Sequence, residues 1–317
     1  MINRLYKKIN EMHAITLSVL LCLLLALPAF ASDIPARGYF IIEDNPVPLG
    51  PAQVLTPVAS GKNAETGGGA TLDYSNSSEG YVMAKASGGK FKIQITKQGG
   101  RTYTYDLNGN GNYETYPLTG GNGKYNIGIF KNVSGNQYAQ ALVTNIDVKL
   151  KSANLPFLYP NQFVNFNKNA KAVAKGVEVA SGSSSQIDTV TRIYNFVITN
   201  LSYDTAKATS VQPGYVPNVD AVLAARKGIC FDYAALMATM LRTQGIPTRL
   251  EVGYVSGGAY HAWISVFLNG VGWVNDVIYF DGKSWSLMDP TFASSGGGAA
   301  AARFIGDGKN YSVQYLY

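Results

Sequence analysis

After its first 31 residues the chain contains a single cysteine, Cys230, and a single histidine, His261, with Asp289 further along. A thiolate can act as a nucleophile, an imidazole as its general base and acid, and a carboxylate can orient the imidazole. In an exported protein a lone cysteine forms an intermolecular bridge or remains a free, reactive thiol. The three residue types therefore suit catalysis with a cysteine nucleophile, and the simpler alternative is a buried structural cysteine with a structural histidine.

The segment after Cys230 has apolar residues at helical spacing, which predicts a helix from about Phe231 to Gln244 that Gly245 closes. Cys230 would then lie at a helix N-terminus, where unpaired backbone N–H groups and the helix dipole favour an anion. Gly228 allows the backbone to approach a substrate closely, and the N–H of Cys230 could face a developing oxyanion. The local sequence thus suits a thiolate nucleophile.

His261 lies near the start of a predicted strand, and Asp289 follows the end of another. If these strands pair, the Asp289 carboxylate can accept the imidazole N–H while the other ring nitrogen faces the thiol. A helix at Gln186 to Asn200 with Ser184 or Ser185 as N-cap precedes them. Together these elements predict an α+β layout with an antiparallel sheet. The predicted strands are Thr248 to Tyr254, Tyr260 to Leu268, Gly272 to Phe280, Lys283 to Met288 and Tyr311 to Tyr317, with turns at Asn269-Gly270 and Asp281-Gly282.

The stretch from Ala70 to Leu150 has a different texture, because short segments rich in Tyr, Thr, Ile and Val alternate with glycine-containing turns. This spacing predicts an all-β sandwich. The turn from Asp106 to Glu114 has oxygen-bearing residues at alternate positions, as a calcium loop does, but Pro117 stands where an EF-hand needs a bidentate Glu. A hairpin with Asn-Gly turns is the preferred interpretation. The predicted strands are Thr71 to Tyr74, Tyr81 to Ala86, Lys90 to Thr96, Arg101 to Tyr105, Tyr113 to Leu118, Lys124 to Phe130 and Tyr138 to Leu150.

Residues 1–31 have the pattern of an export signal: a basic start, an apolar run and a small-residue exit before Ser32. An uncleaved N-terminal anchor is the alternative. We expect a secreted protein with a β-sandwich domain at 32–152, a catalytic domain at 153–317 and no stable membrane insertion after cleavage. Removing the signal lowers the formal net charge from +6 to +4, without a basic cluster, so nucleic-acid binding is not expected.

Several stretches resemble the transglutaminase-like superfamily, whose core is similar to the papain fold. They cover about residues 185 to 295 in the order of the family. The matching stretches are Gly228-Ile229-Cys230-Phe231-Asp232-Tyr233-Ala234, Leu241-Arg242, Gly245-Ile246-Pro247-Thr248-Arg249, Gly253-Tyr254-Val255, His261-Ala262-Trp263 and Asp289-Pro290-Thr291, with Leu201-Ser202-Tyr203-Asp204 upstream.

The resemblance implies that Cys230 is the nucleophile, His261 the general base and acid, and Asp289 the orienting carboxylate. In the family an upstream side chain, often Trp or Gln, completes the oxyanion hole. No Trp precedes Cys230, so Tyr203 is the candidate here, with packing as its alternative role. Asp232, Tyr233, Arg242 and Arg249 are expected to support the scaffold.

The expected reaction passes through a Cys230 thioester formed from a glutamine carboxamide or a peptide carbonyl. An amine acceptor would give protein cross-linking, and water would give a cysteine protease or amidase. The substrate is expected to be a protein or peptide, with association with a cell wall or surface left open, and no metal or other cofactor is expected, since one Cys and one His cannot build a Cys/His-rich zinc site. A non-catalytic protein that binds the cell wall is the alternative of another class.

Overall fold

The computed structural model describes residues 52–255, 258–274, 278–280, 285–287 and 311–317. The predicted signal segment at 1–31 and Asp289 lie outside these ranges, and so does the predicted turn at Asp281-Gly282. Among the helices within these ranges, none is both long enough and apolar enough to cross a membrane.

The N-terminal part forms two four-stranded antiparallel sheets, which confirms the predicted β-sandwich. The strand order is β1-β2-β3-β6 in one sheet and β5-β4-β7-β8 in the other. Inward-facing residues of both sheets, such as Leu72, Val82, Ile93 and Ile127, are fully buried in one shared core. The strands are β1 Ala64–Gly67, β2 Ala70–Asp73, β3 Tyr81–Ala86, β4 Phe91–Lys97, β5 Thr102–Leu107, β6 Glu114–Pro117, β7 Gly123–Ser134 and β8 Gln137–Val148.

The turn between β5 and β6 does not close a hairpin, so that interpretation of the sequence was wrong. β5 pairs with β4 and β6 pairs with β3, so this connection passes from one sheet to the other. Gly109 lies so close to Gly89 that a Cβ atom would be 2.0 Å from the Gly89 carbonyl oxygen. The N–H of Gly111, at φ +85°, donates to the carbonyl of Ala86 over 2.8 Å. The glycines allow the tight backbone of this turn. The pairing of the strands is decided instead by the apolar residues that β5 and β6 bury in their separate sheets.

The C-terminal part begins with helices, and the predicted helix at Gln186 to Asn200 is confirmed. Its N-cap is Ser185, whose Oγ accepts the N–H of Asp188 over 3.0 Å. Three helices were not predicted, and the first of them has a cap that is distant in sequence. Its N–H groups at Lys171 and Ala172 donate to the carboxylate of Asp220 over 3.0 and 2.8 Å. The helices are α1 Lys171–Ala180, α2 Gln186–Asn200, α3 Thr205–Ser210, α4 Val219–Ala225 and α5 Cys230–Arg242.

Separate small sheets complete the α+β part, in agreement with the predicted fold class. The main antiparallel sheet has the order β13-β12-β11-β16, and β14 pairs with β15 separately. The predicted strand Gly272 to Phe280 is described as two short strands, with residues 275–277 outside the described ranges. A parallel pair, β9 with β10, joins the segments before α3 and α5. The strands are β9 Ser202–Tyr203, β10 Lys227–Gly228, β11 Thr248–Val255, β12 Tyr260–Leu268, β13 Gly272–Val274, β14 Ile278–Phe280, β15 Trp285–Leu287 and β16 Tyr311–Leu316.

Helix α5 is the centre of this part of the molecule. All its residues from Asp232 to Arg242 are buried, and it packs against α1, α2 and α4 on the helical side and against β11 and β12 of the sheet. At its C-terminal end the Arg242 guanidinium is fully buried, and within the described residues its hydrogen bonds all go to backbone carbonyls. The helix is therefore fixed by the core along its length and by hydrogen bonds at its end.

Candidate active site

Cys230 is the first residue of α5 and has a free, partly buried thiol. As the first helical residue, it has a backbone N–H that lacks an acceptor within the helix. The N-cap is Ile229, whose N–H donates to Oδ2 of Asp232 over 2.9 Å. A carboxylate in the first turn thus does the capping that an Ile side chain cannot do. Gly228 is needed for this turn, because a Cβ atom there would be 2.6 Å from the Cβ of Asp232.

The Asp232 carboxylate is completely buried and carries a network that the sequence did not reveal. Lys207 Nζ lies 2.6 Å from Oδ2, and the Tyr215 hydroxyl lies 2.5 Å from Oδ1. Lys207 also donates to the Tyr215 hydroxyl over 2.6 Å. Partial burial opposes the charge of Lys207, but hydrogen bonds to Asp232 and Tyr215 outweigh it and raise the pKa of the ammonium group. Burial, followed by the hydrogen bond to Asp232, raises the pKa of Tyr215.

Tyr203, the predicted oxyanion donor, lies on β9 directly opposite Gly228 of β10. The next residue, Asp204, donates its N–H to the Gly228 carbonyl over 2.9 Å. The structure therefore brings the half-buried Tyr203 beside the backbone that leads into Cys230. Its role in stabilising an oxyanion stays a prediction.

His261 is the second residue of β12 and lies opposite Gly253 of β11. Its ring is nearly parallel to that of Trp263, with an interplanar angle of 16° and centroids 6.5 Å apart. The two side chains share a face of the strand, because residues two apart point the same way. The Trp263 indole N–H donates to Oε2 of the buried Glu251 over 2.9 Å. Glu251 thus holds the indole on the face of the strand that also carries the imidazole.

Two of the predicted catalytic residues lie on secondary-structure elements that pack against each other. α5, which begins with Cys230, packs against β12, which carries His261. Asp289 lies outside the described residues, so the complete triad stays a prediction. Sequence reasoning assigned Asp232 to the scaffold without identifying Lys207 and Tyr215 as its partners, and it did not single out Glu251. An acidic residue between the apolar Leu250 and Val252 was the only local signal for Glu251.

Residues 172–276 match the family model of the transglutaminase-like superfamily. This match confirms the resemblance noted in the sequence, and its range includes Cys230 and His261. The chain therefore carries a transglutaminase-like region, which comprises α1 to α5 and the strands β9 to β13.

Solved structures show distant similarity to this chain. A candidate cysteine protease from Cytophaga hutchinsonii is 14% identical with a TM-score of 0.36, and the match covers 81% of this chain and 90% of that one. A TGase is 21% identical with a TM-score of 0.30, covering 52% and 43%. Red sea bream transglutaminase is 11% identical with a TM-score of 0.30, covering 73% and 49%. No curated protein matches the chain.

Proposed function

We propose that this protein is a secreted acyl-transfer enzyme that uses Cys230 as its nucleophile. One observation supports this best: a free thiol begins a buried helix that packs against the strand carrying His261. The match to the transglutaminase-like superfamily supports the same chemistry. Export is supported by the signal pattern of residues 1–31.

In the proposed reaction the Cys230 thiolate attacks the carbonyl carbon of a glutamine carboxamide or a peptide bond. The carbonyl oxygen becomes an oxyanion, which the Cys230 N–H and the Tyr203 hydroxyl would stabilise. When the intermediate collapses, the C–N bond breaks and the His261 imidazolium protonates the departing amine or ammonia. A thioester remains on Cys230.

Resolution of the thioester reverses these roles. His261, oriented by Asp289, takes a proton from the acceptor, which attacks the thioester carbonyl, and the Cys230 thiolate leaves. A primary amine as acceptor gives a new amide and cross-links proteins. Water gives a carboxylic acid, which makes the enzyme a protease or amidase.

The test uses the exported chain from Ser32 onward with a glutamine-containing peptide and a labelled primary amine. We expect incorporation of the amine, accompanied by release of ammonia, and loss of both in Cys230→Ser and His261→Ala. Ammonia or cleaved peptide without incorporation would establish hydrolysis instead. Asp289→Asn should lower the rate strongly, whereas Asp281→Asn, a matched change in the same part of the chain, should not.

Identical behaviour of the wild type and Cys230→Ser towards a panel of peptides would overturn the enzymatic proposal. That result would favour a non-catalytic protein that binds the cell wall. N-terminal sequencing of protein recovered from the culture medium tests the signal separately, and a sequence that begins at Ser32 is expected.

A further inference from the structure

We propose that Lys207 and Tyr215 are positioning residues for the nucleophile, and that Lys207 compensates the negative charge of Asp232 beside Cys230. This inference rests on the proposed function, because it concerns the same thiol. The segment concerned is Ser202 to Tyr215, of which the motif stretches quoted from the sequence include only the start.

The Asp232 carboxylate accepts three hydrogen bonds from different parts of the chain: the Ile229 N–H, the Lys207 ammonium and the Tyr215 hydroxyl. The Lys207 ammonium also lies 4.2 Å from the centroid of the Tyr215 ring. A buried carboxylate with all its partners in place is held rigidly, and so is the first turn of α5 that it caps.

A carboxylate at the third position of a helix stabilises the helix N-terminus, but it also places a negative charge two residues from a thiol that must ionise. Lys207 supplies the opposite charge at the same carboxylate. The pair therefore leaves the field of the helix N-terminus available to the Cys230 thiolate. Among the described residues, further titratable groups on this turn or on the elements packed against it are Tyr203, Asp204, Tyr215, Lys227 and His261.

The network also fastens the segment that carries Tyr203. At one end Tyr203 pairs with Gly228, and at the other end Tyr215 binds Asp232 and contacts the Phe231 ring at a centroid distance of 6.5 Å. Lys207 lies between these two ends. The buried Asp232 carboxylate therefore holds both the first turn of α5, which carries Cys230, and the segment that carries Tyr203.

The experiment measures the rate at which iodoacetamide alkylates Cys230 as a function of pH, using the folded exported chain. Lys207→Met leaves the Asp232 charge uncompensated, so its profile should move upward by about one pH unit, which is about a tenfold lower rate at a fixed pH below the inflection. Asp232→Asn should move the profile downward, because the Lys207 charge then acts alone. The double variant removes both charges and should return the profile close to that of the wild type.

A purely structural network would not give opposite shifts that cancel in the double variant. Lys92→Met serves as the matched control, since Lys92 forms a partly exposed pair with Asp106 on the β-sandwich, and its profile should stay in place. Tyr215→Phe changes no charge and should leave the profile in place while lowering kcat more than it changes KM. Should Lys207→Met fail to fold, Asp232→Asn and Lys207→Arg, which keeps the charge and should keep the profile, still test the proposal.

Profiles of Lys207→Met and Asp232→Asn that coincide with the wild type would overturn the inference. Alkylation needs no substrate, so its outcome is separate from that of the proposed function. Shifted profiles in a protein that transfers no acyl group would support the network and refute the enzyme. Turnover with unchanged alkylation profiles would support the enzyme and refute the network.

Discussion

Replacing Arg242 by Met should destabilise the C-terminal part of the molecule, because the backbone oxygens that accept its hydrogen bonds would remain buried without this donor. The guanidinium donates to the Thr248 carbonyl from Nε and Nη2, over 3.0 and 2.8 Å, and to the carbonyls of Tyr159 and Tyr317, each over 2.7 Å. Burial lowers the pKa of Arg242 to about 9, so the group is still charged at neutral pH. These bonds tie the end of α5 to β11, β16 and the segment after the β-sandwich.

The expected loss can be worked out from the acceptors that remain. A buried carbonyl left without a donor costs about 1 to 3 kcal/mol, and the carbonyls of Tyr159 and Thr248 would both lose the guanidinium. Tyr317 keeps the N–H of Leu250 over 2.9 Å and contributes less. The Met variant no longer buries a charged group, and the desolvation cost saved offsets part of this loss. We expect Arg242→Met to lower the free energy of unfolding by about 2 to 4 kcal/mol.

Urea unfolding followed by tryptophan fluorescence measures this difference, since all three tryptophans lie in the C-terminal part. Arg192→Met is the matched control, because the Arg192 side chain is 41% exposed and pairs with Asp188 on the surface of α2. That control should lose less than about 1 kcal/mol. A loss for Arg242→Met no larger than that of the control would refute the reasoning, because it would show that unpaired carbonyls inside this core carry no penalty.

Three further changes test the site. Gly228→Ala places a Cβ atom against Asp232 and should cost about 1 to 3 kcal/mol and slow alkylation of Cys230, as a thermal melt and iodoacetamide labelling would show. Trp263→Phe keeps a ring near the imidazole but removes the N–H bonded to Glu251, so stability should fall by about 1 to 3 kcal/mol in urea and amine incorporation should decrease. The pKa of Lys207 is raised in the folded state, so its contribution to stability is present below its ordinary pKa of 10.5 and lost as the pH rises through the folded value. The difference in melting temperature between the wild type and Lys207→Met should therefore shrink above about pH 10.5.

Elements whose signals lie within their own sequence were predicted well. α2 has its N-cap, Ser185, directly before its apolar stripe, and the structure keeps both. Strand β12 was predicted with the same bounds as observed, because Asn269-Gly270 marks its end and the hairpin to β13 follows. Short-range rules suffice where cap, pattern and turn are neighbours in the chain.

Elements that depend on distant partners could not be predicted in this way. α1 has no side-chain cap of its own, and its N-terminus is satisfied by Asp220 of α4. The turn at Gly109 and Gly111 has the composition of a hairpin, but the flanking strands belong to different sheets. Composition shows that the chain must bend there, whereas the destination of each strand depends on which surfaces become buried.

The same distinction applies to the site. The position of Cys230 at the start of a helix is local information, and the structure agrees with it. From sequence Asp232 was expected only to support the scaffold, since its compensating Lys207 lies on another helix, 25 residues earlier in the chain. Physical conflicts of this kind, such as an acid next to a thiolate, indicate where a partner from elsewhere in the fold must be sought.

The β-sandwich contacts the sheet that carries His261, and this contact connects the sandwich to the site. Gln314 is the extra residue of a β-bulge in β16, where the pairing with β11 shifts just beside Gly253. Gly253 in turn lies opposite His261. Arg101 of the sandwich donates a hydrogen bond to Gln314, and the ring of Tyr103 packs against the same strand. Bulges alter the local twist of a strand, and these contacts hold the bulge against the sandwich, across β11 from the strand that carries His261. Its contact with β16 therefore has consequences for the geometry of the site as well as for stability.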